Sequence, residues 1–191
     1  IRDLSPRLKA RADRIGAEVI ARSGVRSRYF ALDPATREQT ETNVTMMEKA
    51  VRAALAASGE PPSSIDLLIS SGPMSDYACP PTSALLQGSL GIPSCTEIEI
   101  HSNCTGAPKG LQVALDMLRV GRHRRAAVAY SQLSSTFLRG EYFNGAEVGL
   151  ENLALRWMMS DGAGAVVLDA GAGDGTSPPA LATLIEAFVE S

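Results

Sequence analysis

The chain has 191 residues, 45% of them hydrophobic and 20% charged, an ordinary composition for a globular protein with room for a sizeable core. A net charge of -3 and a pI near 5.4 give no electrostatic case for nucleic acid or an anionic membrane. No apolar run approaches the roughly 20 residues of a membrane span, and three cysteines with two histidines match no zinc spacing, which fits a reducing, cytoplasmic setting.

The opening "IRDLSPRLKARADRIG" is charged, lacks a secretory h-region, and begins with Ile, so a clipped start is expected. Ser5 and Pro6 read as N-cap and first residue of a helix carrying Leu8, Ala12, Ile15 and Val19 on one face. A second helix is expected over "TNVTMMEKAVRAALAASG", with Val44, Met47, Val51 and Leu55 aligned and Gly59 as its stop. "EPPSS" reads as a loop and "IDLLIS" as a strand buried on both faces. A short helix "TSALLQGSLG" follows, ending before Pro93. Strand "TEIEI" then leads into a helix with Leu111, Ala114, Leu115 and Leu118 at i, i+3, i+4 and i+7. "RRAAVAYSQ" reads as another apolar strand, and a long polar and aromatic stretch containing Trp157 comes after it. "DGAGAVVLDAG" reads as a glycine-rich turn and a strand, and "ALATLIEAFVES" is ambiguous between helix and strand. The alternation predicts an α/β layered fold with a mainly parallel or mixed sheet.

Cys104 stands between the fourth of these helices and the strand before it. A thiol there meets the positive end of a helix and free backbone N–H groups, which favour the thiolate and could hold an oxyanion on a thioester carbonyl. A buried structural cysteine is the alternative that residue type alone leaves open.

The wider pattern bears on the choice. "NCTGAPKGLQVALDML", "RRAAVAYSQLSS" and "SDGAGAVVLD", in that order, resemble the N-terminal half of thiolase-fold condensing enzymes, closest to β-ketoacyl-acyl carrier protein synthase III and its acyltransferase relatives. "IARSGVRSRYFA" is similar to the family's arginine segment and "CPPTSALLQGSLGIP" to the segment before the nucleophile strand. The resemblance implies a thiolase-like fold of layered helices and mixed sheet, with residues 1–191 forming the first half of a duplicated unit. It implies that Cys104 accepts an acyl group as a thioester, from acyl carrier protein or acyl-coenzyme A, and passes it to a small-molecule acceptor in a natural-product pathway. If the acceptor is a malonyl carrier, the step is decarboxylative condensation. Arg22 matches a residue that meets the carrier's phosphates, and Cys79, Gly162 and Gly164 match substrate-side positions, with Asp161 to Gly164 as a glycine-rich turn. The chemistry needs neither metal nor cofactor, and the resemblance implies a homodimer.

Three positions depart from the pattern. Glu18 replaces an aromatic that stacks on adenine in some members, pointing to carrier-protein donors over coenzyme A. Cys79 replaces a bulky ring, and the loop containing "FLRGEYFN" is longer than in the fatty-acid enzymes. The family's histidine and its His or Asn partner lie in a second half outside this chain. His101 is expected as a core or strand-end residue and His123 at the surface, and neither sits where a partner belongs.

"VVLDAGAGDGT" also looks like the glycine loop of S-adenosylmethionine-dependent methyltransferases, with Glu190 as a ribose-binding acid. The 16 residues after Gly175 are too few for that fold, and "SPP" interrupts the helix the loop should feed. A third reading is a non-catalytic member of a condensing-enzyme pair, whose Cys104 would be inert and buried.

Overall fold

The structure is a computed structural model, and it describes residues 6–138, 155 and 157–170. The expected N-cap Ser5, most of "FLRGEYFN", the glycines after Ala170, Glu190 and "ALATLIEAFVES" lie outside the described residues. The chain divides into two compact units: one takes residues up to 40 with 133–161, the other takes 41–132 and the segment from 162.

The first unit contains helix α1, Pro6–Ser23, with Pro6 at the first helical position as expected. Ala12 is buried with Leu138, against Phe137, Trp157 and Met159. Gly16 is required where it stands, because a Cβ there would come within 2.6 Å of the Trp157 ring. Asp161 is a buried carboxylate whose two oxygens accept from the backbone N–H of Ala31 (2.7 Å) and Ser135 (2.8 Å). It ties together segments about a hundred residues apart in sequence.

The second unit holds a four-stranded sheet in the order β2-β1-β3-β4. Its elements are α2 (Asn43–Ser58), β1 (Leu67–Gly72), α3 (Thr82–Leu90), β2 (Thr96–His101), α4 (Gly106–Arg119), β3 (Arg125–Gln132) and β4 (Gly162–Asp169). β1 runs parallel to both β2 and β3, whereas β4 runs antiparallel to β3, so the sheet is mixed. α2 begins at a Thr42–Thr45 capping box and ends at Gly59, whose φ of 73° closes the helix in the left-handed region. β1 lies two residues later than "IDLLIS" but is buried along its whole length. "EPPSS" contains a 3-10 turn at Pro62–Ser64 rather than an irregular loop.

Strand alternation separates the two helical layers. On β2, Ile98 and Ile100 pack into the α4 cluster, while Glu97 and Glu99 accept hydrogen bonds from Ser83 and Thr82 of α3. On β3, Ala126 and Val128 join α4, while Ser131 donates to Asn43 of α2 (2.8 Å). α4 therefore covers one face and α2 with α3 the other. The core under α4 is Leu67, Ile69, Ala114, Leu118, Ala126, Val128 and Leu168. Of the four-residue stripe expected on α4, Ala114 and Leu118 are buried, whereas Leu111 and Leu115 are only half-buried, like Val113 and Met117.

Two expectations are corrected. Gly162 and Gly164 are not in a turn: they open β4, opposite Gln132 and Tyr130. Glycine runs suggest turns, but here the strand needs no side chain at those positions. His123 is not a surface residue: its side chain is 10% exposed, with Nδ1 3.7 Å from the Asp66 carboxylate and Nε2 buried. His101 ends β2 and is exposed, as a strand-end residue rather than a core one.

Candidate active site

Cys104 lies in the turn between β2 and α4, immediately before the helix N-cap Thr105. Its thiol is exposed, unlike the half-buried Cys95. That location follows from the topology. β1, β2 and β3 are parallel, so their carboxyl ends lie together, and α4 starts from that edge with its N-terminal N–H groups directed there. The Ser102 N–H donates to the Gly72 carbonyl (3.0 Å), which ties the turn to the end of β1. The Lys109 ammonium donates to Ser102 Oγ (2.9 Å), and Ser102 Oγ and Thr105 Oγ1 are 3.0 Å apart. A lysine cation and a helix N-terminus thus flank the cysteine turn, a setting that stabilises negative charge developing on a bound carbonyl.

Glycines bring the helix close enough to do this. A Cβ on Gly106 would lie 3.2 Å from Ser71 Cβ and 3.3 Å from Tyr130 Cε2. One on Gly110, a turn later, would lie 2.9 Å from Val128 Cγ1. The absent side chains seat the first turns of α4 directly on β1 and β3.

Tyr130 is the site residue that reading for motifs missed. It is half-buried on the α4 face of β3, and its hydroxyl donates to Gln132 Oε1 (3.2 Å). Burial first, and the nearby Cys104 second, push the Tyr130 hydroxyl above its ordinary pKa. Burial, reinforced by Glu97 and Asp66, likewise raises the Cys95 thiol. The available signal was a lone aromatic ending the small-residue run "AAVAY".

The remaining candidates are distributed differently. Gly162 and Gly164 share the α4 face of the sheet with Tyr130 and Gln132, and among the described residues nothing lies within 4 Å of a Cβ built on Gly162. Cys79 is exposed between β1 and α3. Arg22 belongs to the other unit, at the last turn of α1, where it pairs with Glu18 at 2.7 Å on an open surface. Among the described residues no three His, Cys, Asp or Glu side chains are grouped to hold a metal ion, and no helix is long and apolar enough to cross a membrane. The strand before the methyltransferase-like loop is an antiparallel edge of the described sheet, not the parallel strand that such a loop follows.

No protein-family model matches the chain. Curated relatives do. The chain is 31% identical over 180 residues to a β-ketoacyl-[acyl-carrier-protein] synthase III of Erythrobacter litoralis, covering 94% of this chain and 51% of that protein. A synthase III of Sphingopyxis alaskensis is 33% identical over 163 residues, covering 85% and 46%. The chain spans about half the length of the curated relatives it matches. Among solved structures, AbyA1, a tetronic acid condensing enzyme, superimposes with a TM-score of 0.68 at 26% identity, covering 81% of this chain and 44% of that one. A synthase III of Pseudomonas aeruginosa (TM-score 0.64, 24% identity, 85% and 44% covered) and a variant of Xanthomonas campestris OleA (0.63, 21%, 82% and 51%) bear on the fold alone. The chain is thus a relative of the synthase III-like condensing enzymes, matching about half of their length, and its described part has their thiolase-like fold.

Proposed function

We propose that this chain is the N-terminal, nucleophile-bearing half of a synthase III-like acyltransferase acting in a natural-product pathway. The observation that carries the reading is the exposed thiol of Cys104 at the start of α4, where the carboxyl ends of three parallel strands meet. Cys104 Sγ attacks the carbonyl carbon of a carrier thioester. The carbonyl oxygen takes negative charge and is met by N–H groups at the start of α4. The carrier's C–S bond then breaks, the carrier leaves as a thiol, and the acyl group rests on Cys104. An acceptor hydroxyl or amine attacks that second thioester and releases the cysteine.

The general base belongs to a second half that covers the α4 face. Leu111, Val113, Leu115 and Met117, only half-buried on α4, together with Val120 at 76% exposure, support a further layer there. Arg22 is the carrier's phosphate contact; its exposed pair with Glu18 stabilises by about 0–1 kcal/mol, so a phosphate displaces it readily. A homodimer is part of the same reading. The similarity to a tetronic acid condensing enzyme and to synthase III proteins favours one second reading, in which the acceptor is a malonyl carrier and the step is decarboxylative condensation.

Competition decides the donor and pocket. With the full-length protein, carrier-bound thioesters should outcompete their coenzyme A counterparts, and branched or aryl acyl groups should compete with straight ones because Cys79 is small. Exclusive use of acetyl-coenzyme A, or transfer that survives Cys104→Ala, overturns the proposal.

A further inference from the structure

Beyond Ile100 of β2, which pairs with Ser71, the α4 face at the carboxyl edge of the sheet carries few large side chains. Across the strands, Ser71 of β1 pairs with Tyr130 of β3, and Tyr130 pairs with Gly164 of β4. One step further along, Gln132 faces Gly162, where an added Cβ would meet none of the described residues within 4 Å. Gly106 of α4, two residues after the nucleophile, sits over Ser71 and Tyr130. Amid these small residues the Tyr130 ring stands out by its size, and its polar tip is held in place by Gln132 at 3.2 Å.

From this arrangement we infer that Tyr130, positioned by Gln132, is a specificity determinant of the Cys104 site and selects hydroxyacyl thioesters over alkyl ones. The inference rests on the acyl-transfer reading above and names its substrate class. The glycines leave the room; the ring forms one wall, and the phenol with its amide partner forms the only large polar group on that stretch of the described sheet face. An alkyl chain laid against it strips water from the half-buried Tyr130 hydroxyl oxygen and returns nothing. A hydroxyl on the acyl chain replaces that water by donating to the phenol oxygen, whose own proton is given to Gln132. A site that closes over a polar group rejects the analogue lacking the matching group more strongly than an apolar pocket rejects an extra methylene. The burial that raises the Tyr130 pKa keeps the phenol protonated, so its hydrogen bond to Gln132 persists at neutral pH.

The test uses the full-length protein with any partner subunit it needs. Acylation of Cys104 is followed by mass spectrometry with butyryl, 2-hydroxybutyryl and 3-hydroxybutyryl thioesters on the same carrier. The native protein should prefer at least one hydroxybutyryl donor, and in Tyr130→Phe the ratio of that donor's rate to the butyryl rate should fall about tenfold, the loss of one hydrogen bond in a desolvated site. Gln132→Leu should lower the same ratio, because the phenol loses its anchor. A native preference for butyryl, or an unchanged ratio in Tyr130→Phe, overturns the inference while leaving the role of Cys104 intact. No acylation of Cys104 in the native protein by any of the three removes both.

Discussion

Replacing Gly110 and Gly88 separately by alanine isolates the close seating of α4, because both lie in helices and both gain the same intrinsic preference. Alanine in a helix interior is favoured over glycine by about 1 kcal/mol. Gly88 is exposed on α3, and a Cβ there has none of the described residues within 4 Å, so Gly88→Ala should stabilise by up to that amount. At Gly110 the new methyl would lie 2.9 Å from Val128 Cγ1 and 3.4 Å from Ile69 Cγ2. Both neighbours are β-branched and buried at 3% and 0% exposure, so neither swings aside without leaving its rotamer. Overpacking of this kind costs about 1–3 kcal/mol. The two variants should therefore differ by about 2 kcal/mol, with Gly110→Ala the less stable, or about 1 M in urea midpoint for a typical slope. Urea unfolding of the full-length variants, followed by circular dichroism, reads this directly. Equal midpoints would refute the claim that glycine is needed to bring α4, and with it the cysteine turn, against the sheet.

Asp161→Ala leaves the N–H groups of Ala31 and Ser135 without their acceptor and should cost about 2–4 kcal/mol, with faster amide exchange at those two residues; slow exchange at both would contradict the clamp. Burial opposes ionisation of Glu41, but hydrogen bonds from Lys49 and Thr45 outweigh it and hold the folded pKa below the ordinary 4.5. Its contribution is therefore complete above about pH 4.5 and is lost as pH falls through the folded value, so Glu41→Gln should flatten the stability–pH curve in that acid window and nowhere else. In iodoacetamide labelling of the folded protein, Cys104 and Cys79 should react before Cys95, whose thiol is half-buried and pushed up in pKa; faster modification of Cys95 would contradict its placement.

What the sequence disclosed about the fold was local. The apolar start of β1 and the Gly59 stop of α2 are each written within a few neighbouring positions, and both are found, β1 two residues later than expected. So is Cys104, because a cysteine between a strand and a helix containing Gly106 and Pro108 is a feature of short range. What failed depended on residues far away in sequence. His123 sits in a basic run that signals a surface turn, yet its partner Asp66 lies 57 residues earlier, across the amino ends of the strands. Gly162 and Gly164 look like a turn until β3 is seen beside them, where pairing with Tyr130 and Gln132 makes them strand. Tyr130 itself reads as one more apolar strand residue. Only the register with Ser71 and Gly164, and the approach of Gly106, bring it to the cysteine site.

The central claim is that Cys104 becomes acylated. Brief incubation of the full-length protein with an acyl carrier thioester, followed by acid quench and peptide mapping, tests it without knowledge of the acceptor. One acyl group per chain is expected, on the peptide containing Cys104, and none in Cys104→Ala. An acyl adduct on Cys79 or Cys95, or one that persists in Cys104→Ala, would contradict it.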